Sequence, residues 1–361
     1  MSSLSPHAPR LPGQQYFASI ARWSPGEIIF WAVLLAVFFV PDANLPLYGQ
    51  ILIWGLFAMS LDLLLGYRGI PSLGHAAFFG IGAYTAGYLG KFGWTEPISG
   101  LVLASLIAGL VGWLTGRVIQ RVSGIALLMV TLGLNLILYD IVHRQSDLTG
   151  GDDGLQGIVI APVLGLFRFD IYGRTSYLYA LAVTFVLFLV ARALVKSPFG
   201  LALLGARENP RRMITLGTPI ERDVSTVFAI ASAMAGAAGA LLTQTTQFVS
   251  PATLSFQRSA DVLVILIIGG TGRLYGGFIG AIVFLLLRDW LAAPQGEIQV
   301  LEDNKTAERH AQIARLKHRL IGSRIRHRRR RRCASVSTDG TIPLRKNATM
   351  MTSRSPIQKY Q

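Results

Sequence analysis

A single cysteine, Cys333, serves 361 residues. No intrachain disulfide can form, and no metal site can be built on cysteine. Charge is scarce: 15% of the residues are Asp, Glu, Lys or Arg, against about 25% in an average soluble domain. Hydrophobic residues make up 52% of the chain. That balance excludes a soluble globular protein and indicates a polytopic membrane protein. The chain lacks a G-x-x-x-x-G-K-[ST] loop, so it cannot cradle nucleotide phosphates in the P-loop manner. It also lacks H-E-x-x-H, G-x-S-x-G and any paired carboxylates at useful spacing in a soluble region. No catalytic activity, cofactor or metal is therefore expected in this chain. Residues 1–26 are polar and have no apolar core followed by a small-residue cleavage site. They read as a cytoplasmic N-terminal segment rather than a removable signal peptide.

Apolar runs fall at about 28–40, 47–65, 72–92, 98–118, 124–142, 177–195, 225–248, 259–270 and 277–291. The expected fold is all-α, a polytopic helical bundle with about eight or nine transmembrane segments. The run at 259–270 is too short to span alone and leads into GGTGRLYGG, residues 269–277. A broken or re-entrant segment is expected near 259–277, because irregular backbone at membrane depth needs protein or a cavity around it. Arg273 is expected to fix that break to a neighbouring backbone. Glycines and alanines crowd the third run, and Ala231, Ala235 and Gly239 recur every four residues on the seventh. Such faces let helix backbones approach closely.

Lys and Arg placement sets the orientation. Arg10, Arg22, Arg68, Arg117, Arg121 and the group Lys196, Arg207, Arg211, Arg212 and Arg222 fall on one side under a single alternation. The loops PDANLP (41–46), KFGWTEP (91–97) and 143–176 fall on the other. The N-terminus and the loop 196–222 are thus expected inside, and 143–176 outside. The net charge of +15 belongs mostly to the tail: residues 292–361 carry +11 and residues 1–291 carry +4. The block RHRRRRR (326–332) sits on the wrong side for the positive-inside tendency if the last two runs both span. Two readings stand: a frameshifted or mispredicted terminus, disordered in either case, or a basic tail for lipid headgroups or nucleic acid.

The loop 196–222, KSPFGLALLGARENPRRMITLGTPIER, is the long charged exception among short connections. Its composition suits short helices broken at Pro210 and ended by Gly217. Charged Arg207, Glu208, Arg211 and Arg212 surround apolar Leu203, Leu204, Met213 and Leu216. Such a loop either docks a partner or is simply held inside by its arginines. Ionisable and polar groups within spans are costly and default to functional candidates. Asp62 lies near the inner end of the second run and is expected to snorkel or to pair with Arg68. His75 opens the third run as a hydrogen-bonder, a cap or part of a translocation path. Asn135 lies mid-span in the fifth run and needs a partner across helices. Asp152 and Asp153 lie in an outer loop among glycines, where they either meet a docking protein or solubilise a turn.

Three segments carry a resemblance to the permease subunits of branched-chain amino acid ATP-binding-cassette importers, of the LivM type. They are GYRGIPSLGHAAFFGIGAYTAGYL (66–89), LTGGDDGLQGI (148–158), and a third running from SPFGLALLGARENP (197–210) through GAAGALL (236–242) and VSPATLSF (249–256) to IIGGTGRLYGG (267–277). The resemblance covers about 28–291. It implies a permease domain at 27–291, in a bacterial inner membrane, working by alternating access. It implies a coupling loop that docks on an ATPase, with Leu203, Arg207, Glu208, Asn209, Pro210, Arg211, Met213 and Gly217 as its candidates. Ser72, Gly74, His75 and Asn135 become translocation-path candidates, and Asp152 and Asp153 binding-protein docking candidates. The implied partners are a second, LivH-type permease, two cytoplasmic ATPases that hold the ATP and magnesium, a periplasmic solute-binding protein and membrane lipid, but no nucleic acid. The implied solutes are leucine, isoleucine or valine, or related amino acids, amides or urea. Two departures stand out: Pro71 in the first motif, and no helix after the 277–291 run, where the family continues into one more span. The rival readings are a stand-alone secondary transporter or channel, and a truncated permease that does not work.

Overall fold

The computed structural model describes residues 25–40, 44–122, 124–162 and 173–291. The N-terminal segment through residue 24 and the basic tail 292–361 lie outside the described residues, and so do the expectations that fall on them. The chain divides into two compact units, Met1–Asp289 and Trp290–Gln361. The first contains the helical bundle.

The nine apolar runs become nine apolar helices among the described residues. These are α1 (Pro25–Val37), α2 (Leu45–Asp62), α3 (His75–Lys91), α4 (Pro97–Ile119), α5 (Ile125–Arg144), α6 (Arg174–Val195), α9 (Ile220–Thr246), α10 (Phe256–Gly269) and α11 (276–291). Two short helices, α7 (Pro198–Glu208) and α8 (Pro210–Thr215), fill the loop between α6 and α9. Among these helices, α2 with its extension to Tyr67, α4, α5, α6 and α9 are long and apolar enough to cross a membrane. The chain is a multi-pass helical membrane protein. α10 has 14 residues and reaches about 21 Å at 1.5 Å per residue, short of the roughly 30 Å of hydrocarbon. The half-helix expected near 259–277 is therefore present, and α11 continues after the break.

Burial sorts the long helices. The spans at Leu45–Tyr67 and Ile220–Thr246 are 83% and 78% buried, whereas Ile125–Arg144 is 17% buried. α2 and α9 thus form the centre, and α5 presents Ile125, Met129 and Ile137 outward. An apolar surface is the stable one in hydrocarbon. α9 packs most extensively against α4 and α3, and less against α2. Missing side chains make this approach possible. A Cβ on Gly82 of α3 would run into the backbone of Gly236 on α9, and one on Gly239 into the Phe79 carbonyl. Of the seam expected from Ala231, Ala235 and Gly239, all three are buried and Gly239 makes the close backbone approach, joined by Gly236.

α2 does not end as an ordinary helix. Residues Leu63–Tyr67 form a π turn, a local widening that recurs at functional sites. On the opposite face of the bundle, two of the quoted motifs meet. Leu155 donates its amide to the Val249 carbonyl at 2.7 Å, forming an isolated antiparallel bridge. Leu155, Ile158, Val249 and Leu254 then pack with Ala83 and Tyr84 of α3.

Candidate functional site

The loop 196–222 owes its shape to side-chain caps. Ser197 caps α7 by accepting from the Gly200 amide, with Pro198 in the first turn. Asn209 caps α8, its Oδ1 accepting from the Arg212 amide at 3.1 Å, and Pro210 follows in the first turn. Each cap satisfies an amide that the first helical turn leaves open. α8 ends in a paired hydrogen-bond motif. Thr218 N donates to Met213 O at 3.1 Å and Gly217 N to Ile214 O at 2.9 Å, with Gly217 at φ +84°. That left-handed position favours glycine.

The loop has one buried and one open side. Leu203 and Ala206 of α7 are fully buried. Glu208, Asn209, Pro210, Arg211, Arg212 and Gly217 are exposed, and Met213 is half-buried. Ile214 and Leu216 are 61% and 69% exposed, so the charged surface of α8 carries an apolar patch facing away from the bundle.

Two arginines tie the loop to the end of α2. Arg68, buried, donates from Nη1 to the Ala206 carbonyl at 3.3 Å. Burial lowers its pKa, and the Asp223 carboxylate at the start of α9 opposes the shift. Arg207 donates from Nη1 to the Gly66 carbonyl in the π turn. Asp62 corrects two expectations. It neither snorkels nor pairs with Arg68. It is fully buried, and its Oδ1 accepts from the Gly272 amide at 2.7 Å, with Arg207 as the opposing charge. Asp62 also supplies the anchor of the glycine break that the sequence suggested for Arg273. The physical reason is that the chain leaves the helical ladder after the Gly270 amide, with Gly270 and Gly272 at φ +90° and +80°, and the part-buried Gly272 amide needs an acceptor.

A second link was not foreseen. Glu27, in the first turn of α1, is buried and pairs through Oε2 with Arg192 Nη2 at 3.0 Å. Its Oε1 lies 4.0 Å from Lys196 Nζ, at the start of the loop. Tyr275, closing the glycine break, lies beside the same carboxylate. The available signal was an acidic residue opening an otherwise apolar helix.

The translocation candidates gather around the start of α3. His75 is fully buried, stacks on Phe57 with planes 7° apart, and places Nε2 2.8 Å from Ser60 Oγ. Ser60 donates its one hydrogen to the Phe57 carbonyl at 2.6 Å. His75 Nε2 must therefore donate, and Nδ1 is the unprotonated nitrogen. Leu73 N donates to Thr131 Oγ1 of α5 at 3.3 Å, and a Cβ on Gly74 would meet the Thr131 carbonyl. Asn135, one turn further along α5, is fully buried and donates from Nδ2 to the Leu254 carbonyl at 3.0 Å. The cross-helix partner required of it is thus a backbone carbonyl. Ser72 Oγ, His75 Nδ1 and Asn135 Oδ1 are buried without a hydrogen-bond partner. Asp152 and Asp153 are exposed on the other side of the bundle, with Asp152 Oδ1 3.0 Å from His143 Nδ1.

Comparison with known proteins adds a family. The family described as branched-chain amino acid transport system, permease component, matches residues 45–300. The high-affinity branched-chain amino acid transport system permease protein LivM of Salmonella typhimurium is 29% identical over 274 residues, covering 70% of this chain and 64% of the relative. Its Escherichia coli counterpart matches to the same extent. A probable branched-chain amino acid transport permease protein LivH of Methanocaldococcus jannaschii is 27% identical over 266 residues, covering 69% of this chain and 81% of the relative. The matched part spans 64% of the length of the two bacterial LivM proteins. No solved structure matches the chain significantly.

Proposed function

The chain belongs to the family of branched-chain amino acid transport permease components, and on that premise we propose that it is the transmembrane subunit of an ATP-binding-cassette importer for branched-chain amino acids. The observation that carries this reading is the loop of α7 and α8. It is capped at both helices, pinned to the bundle by Arg68 and Arg207, and bears an exposed patch of Ile214 and Leu216. A loop that only solvated an inner turn would need none of these features. The patch is the contact for a cytoplasmic ATPase, which supplies the ATP hydrolysis that this chain has no motif for. Glu208, Asn209, Arg211 and Arg212 frame it.

The rest of the assembly follows from the same premise. A second, LivH-type permease completes the path, two ATPases bind below, and a periplasmic binding protein delivers the solute near Asp152 and Asp153. The chain sits in a bacterial inner membrane with its N-terminus in the cytoplasm. Ser72, Gly74, His75 and Asn135 border the path, a placement supported by the three unpartnered polar atoms collected there. Buried polar atoms without partners are costly, and a passing zwitterion offers partners. ATP binding closes the ATPases, α7 and α8 move with them, and the spans reopen on the other side.

The test is affinity purification of the tagged chain from solubilised membranes. Recovery of a second permease and the ATPases is expected, with loss of the ATPases when residues 203–217 become a Gly/Ser linker. Recovery of a stable chain alone, active in uptake without ATP, would overturn the reading in favour of a secondary transporter.

A further inference from the structure

The glycine break 270–275 is the irregular segment between α10 and α11, and two separate links, one polar and one through ring packing, run to it from the loop that meets the ATPase. At the start of the loop, Lys196 and the neighbouring Arg192 face Glu27 of α1, and the Tyr275 ring packs on Phe30 of α1 and Phe188 of α6, 5.6 and 5.2 Å between ring centres. At the far end of α7, Arg207 spans from the Gly66 carbonyl toward Gly272, whose amide is held by Asp62. The approach is tight. A Cβ on Gly66 would run into both the Asp62 carboxylate and the Gly272 amide. α7 is therefore bracketed, and both brackets end on the one stretch of this helical hairpin where backbone torsions can change without breaking a helix. The junction is polar, lies where α2 widens into a π turn, and joins residues about 140 and 210 positions apart. The amide that the break leaves open at Gly272 explains why Asp62 accepts there. It does not explain why Arg207, on the loop, is the charge that faces Asp62.

Resting on the importer reading, we propose that Asp62, Arg207 and Glu27 form a latch that transmits displacement of the α7–α8 loop to the glycine break, so that α11 is the element moved by the ATPase stroke. Arg207 carries the pull, Asp62 delivers it to the Gly272 amide, and Glu27 fixes the start of the loop to α1, whose Phe30 packs on Tyr275. These are positioning residues, touching neither solute nor nucleotide.

Asp62→Asn separates this role from a structural one. The amide keeps an oxygen for the Gly272 N–H but loses the charge that faces Arg207. The assembled importer, with both permeases, the ATPases and the binding protein, is reconstituted in liposomes, and solute uptake is compared with ATP hydrolysis. Asp62→Asn is expected to keep its ATPases and their hydrolysis while uptake per ATP falls about tenfold, within the span of such coupling effects, and Arg207→Gln should show the same fall per ATP hydrolysed by the ATPases it retains. Arg207→Lys should recover most of the loss. As a second readout, Thr271→Cys in a Cys333→Ser background is labelled with an impermeant thiol reagent. Its labelling rate should change on vanadate trapping in the parent protein and stay constant with Asp62→Asn. Unchanged uptake per ATP in both variants, or identical labelling responses, would overturn the latch. Should Asp62→Asn fail to accumulate, Arg207→Gln carries the same test from a largely exposed residue. Absence of ATPases from the parent preparation would overturn the importer reading, and the latch with it.

Discussion

Adding one methyl group at Gly82 tests whether the centre of the bundle is a backbone-to-backbone contact. A Cβ there would collide with the carbonyl and Cα of Gly236 on α9. Overpacking costs about 1–3 kcal/mol, and the upper end applies because the obstacle is backbone, which no rotamer change relieves. Alanine in a helix interior regains about 1 kcal/mol over glycine. The net loss for Gly82→Ala is then about 2 kcal/mol, or roughly a thirtyfold fall in the folded-to-unfolded ratio. Gly133→Ala on α5 is the control, since nothing lies within 4 Å of its Cβ position. It should gain the propensity term alone, about 1 kcal/mol. The two variants should therefore differ by about 3 kcal/mol, with the propensity term cancelling. Denaturant titration of the purified chain in mixed micelles, followed by tryptophan fluorescence, reads the difference. Equal stabilities for the two variants would refute the seam.

Asn209→Ala removes the cap of α8 at a cost of about 1 kcal/mol, and ATPase retention in a pull-down should weaken about fivefold at unchanged chain abundance. Asn135→Leu removes the donor to the Leu254 carbonyl and should cost about 0.6 kcal/mol, the mean for such bonds between membrane helices, measurable in the same micelle titration. Glu27→Gln leaves buried Arg192 without its carboxylate and should destabilise by about 3 kcal/mol. Its thermal midpoint should fall well below that of the Asp152→Asn variant, whose carboxylate is exposed.

Much of the architecture was legible locally. Nine apolar runs became nine helices because hydropathy and length are properties of contiguous residues. Pro210 and Gly217 marked the joints of the loop because helix breaking and capping act within one turn. Partners were not legible in the same way. Asp62 was read against its neighbour in sequence, Arg68, and instead meets a glycine amide 210 positions away. The π turn at Leu63–Tyr67 separates Asp62 from Arg68, and Arg68 answers to Ala206 of α7. Glu27 was hidden for a related reason: one carboxylate at the head of an apolar helix gives no sign of where its cations come from.

The Leu155–Val249 bridge joins residues 94 positions apart, and that separation is also an interval of time. At about 5–20 residues per second of synthesis, Leu155 waits roughly 5–20 s for its partner to be made. Through that wait the glycine-rich turn at 150–154, which closes on its own local hydrogen bonds, is already made, and the Leu155 amide has only water to answer it. The clasp closes when α9 has been threaded, so it records the arrival of the second half of the chain. A ribosome that stops short of Val249 leaves it open, and an open clasp is a place for a protease to begin.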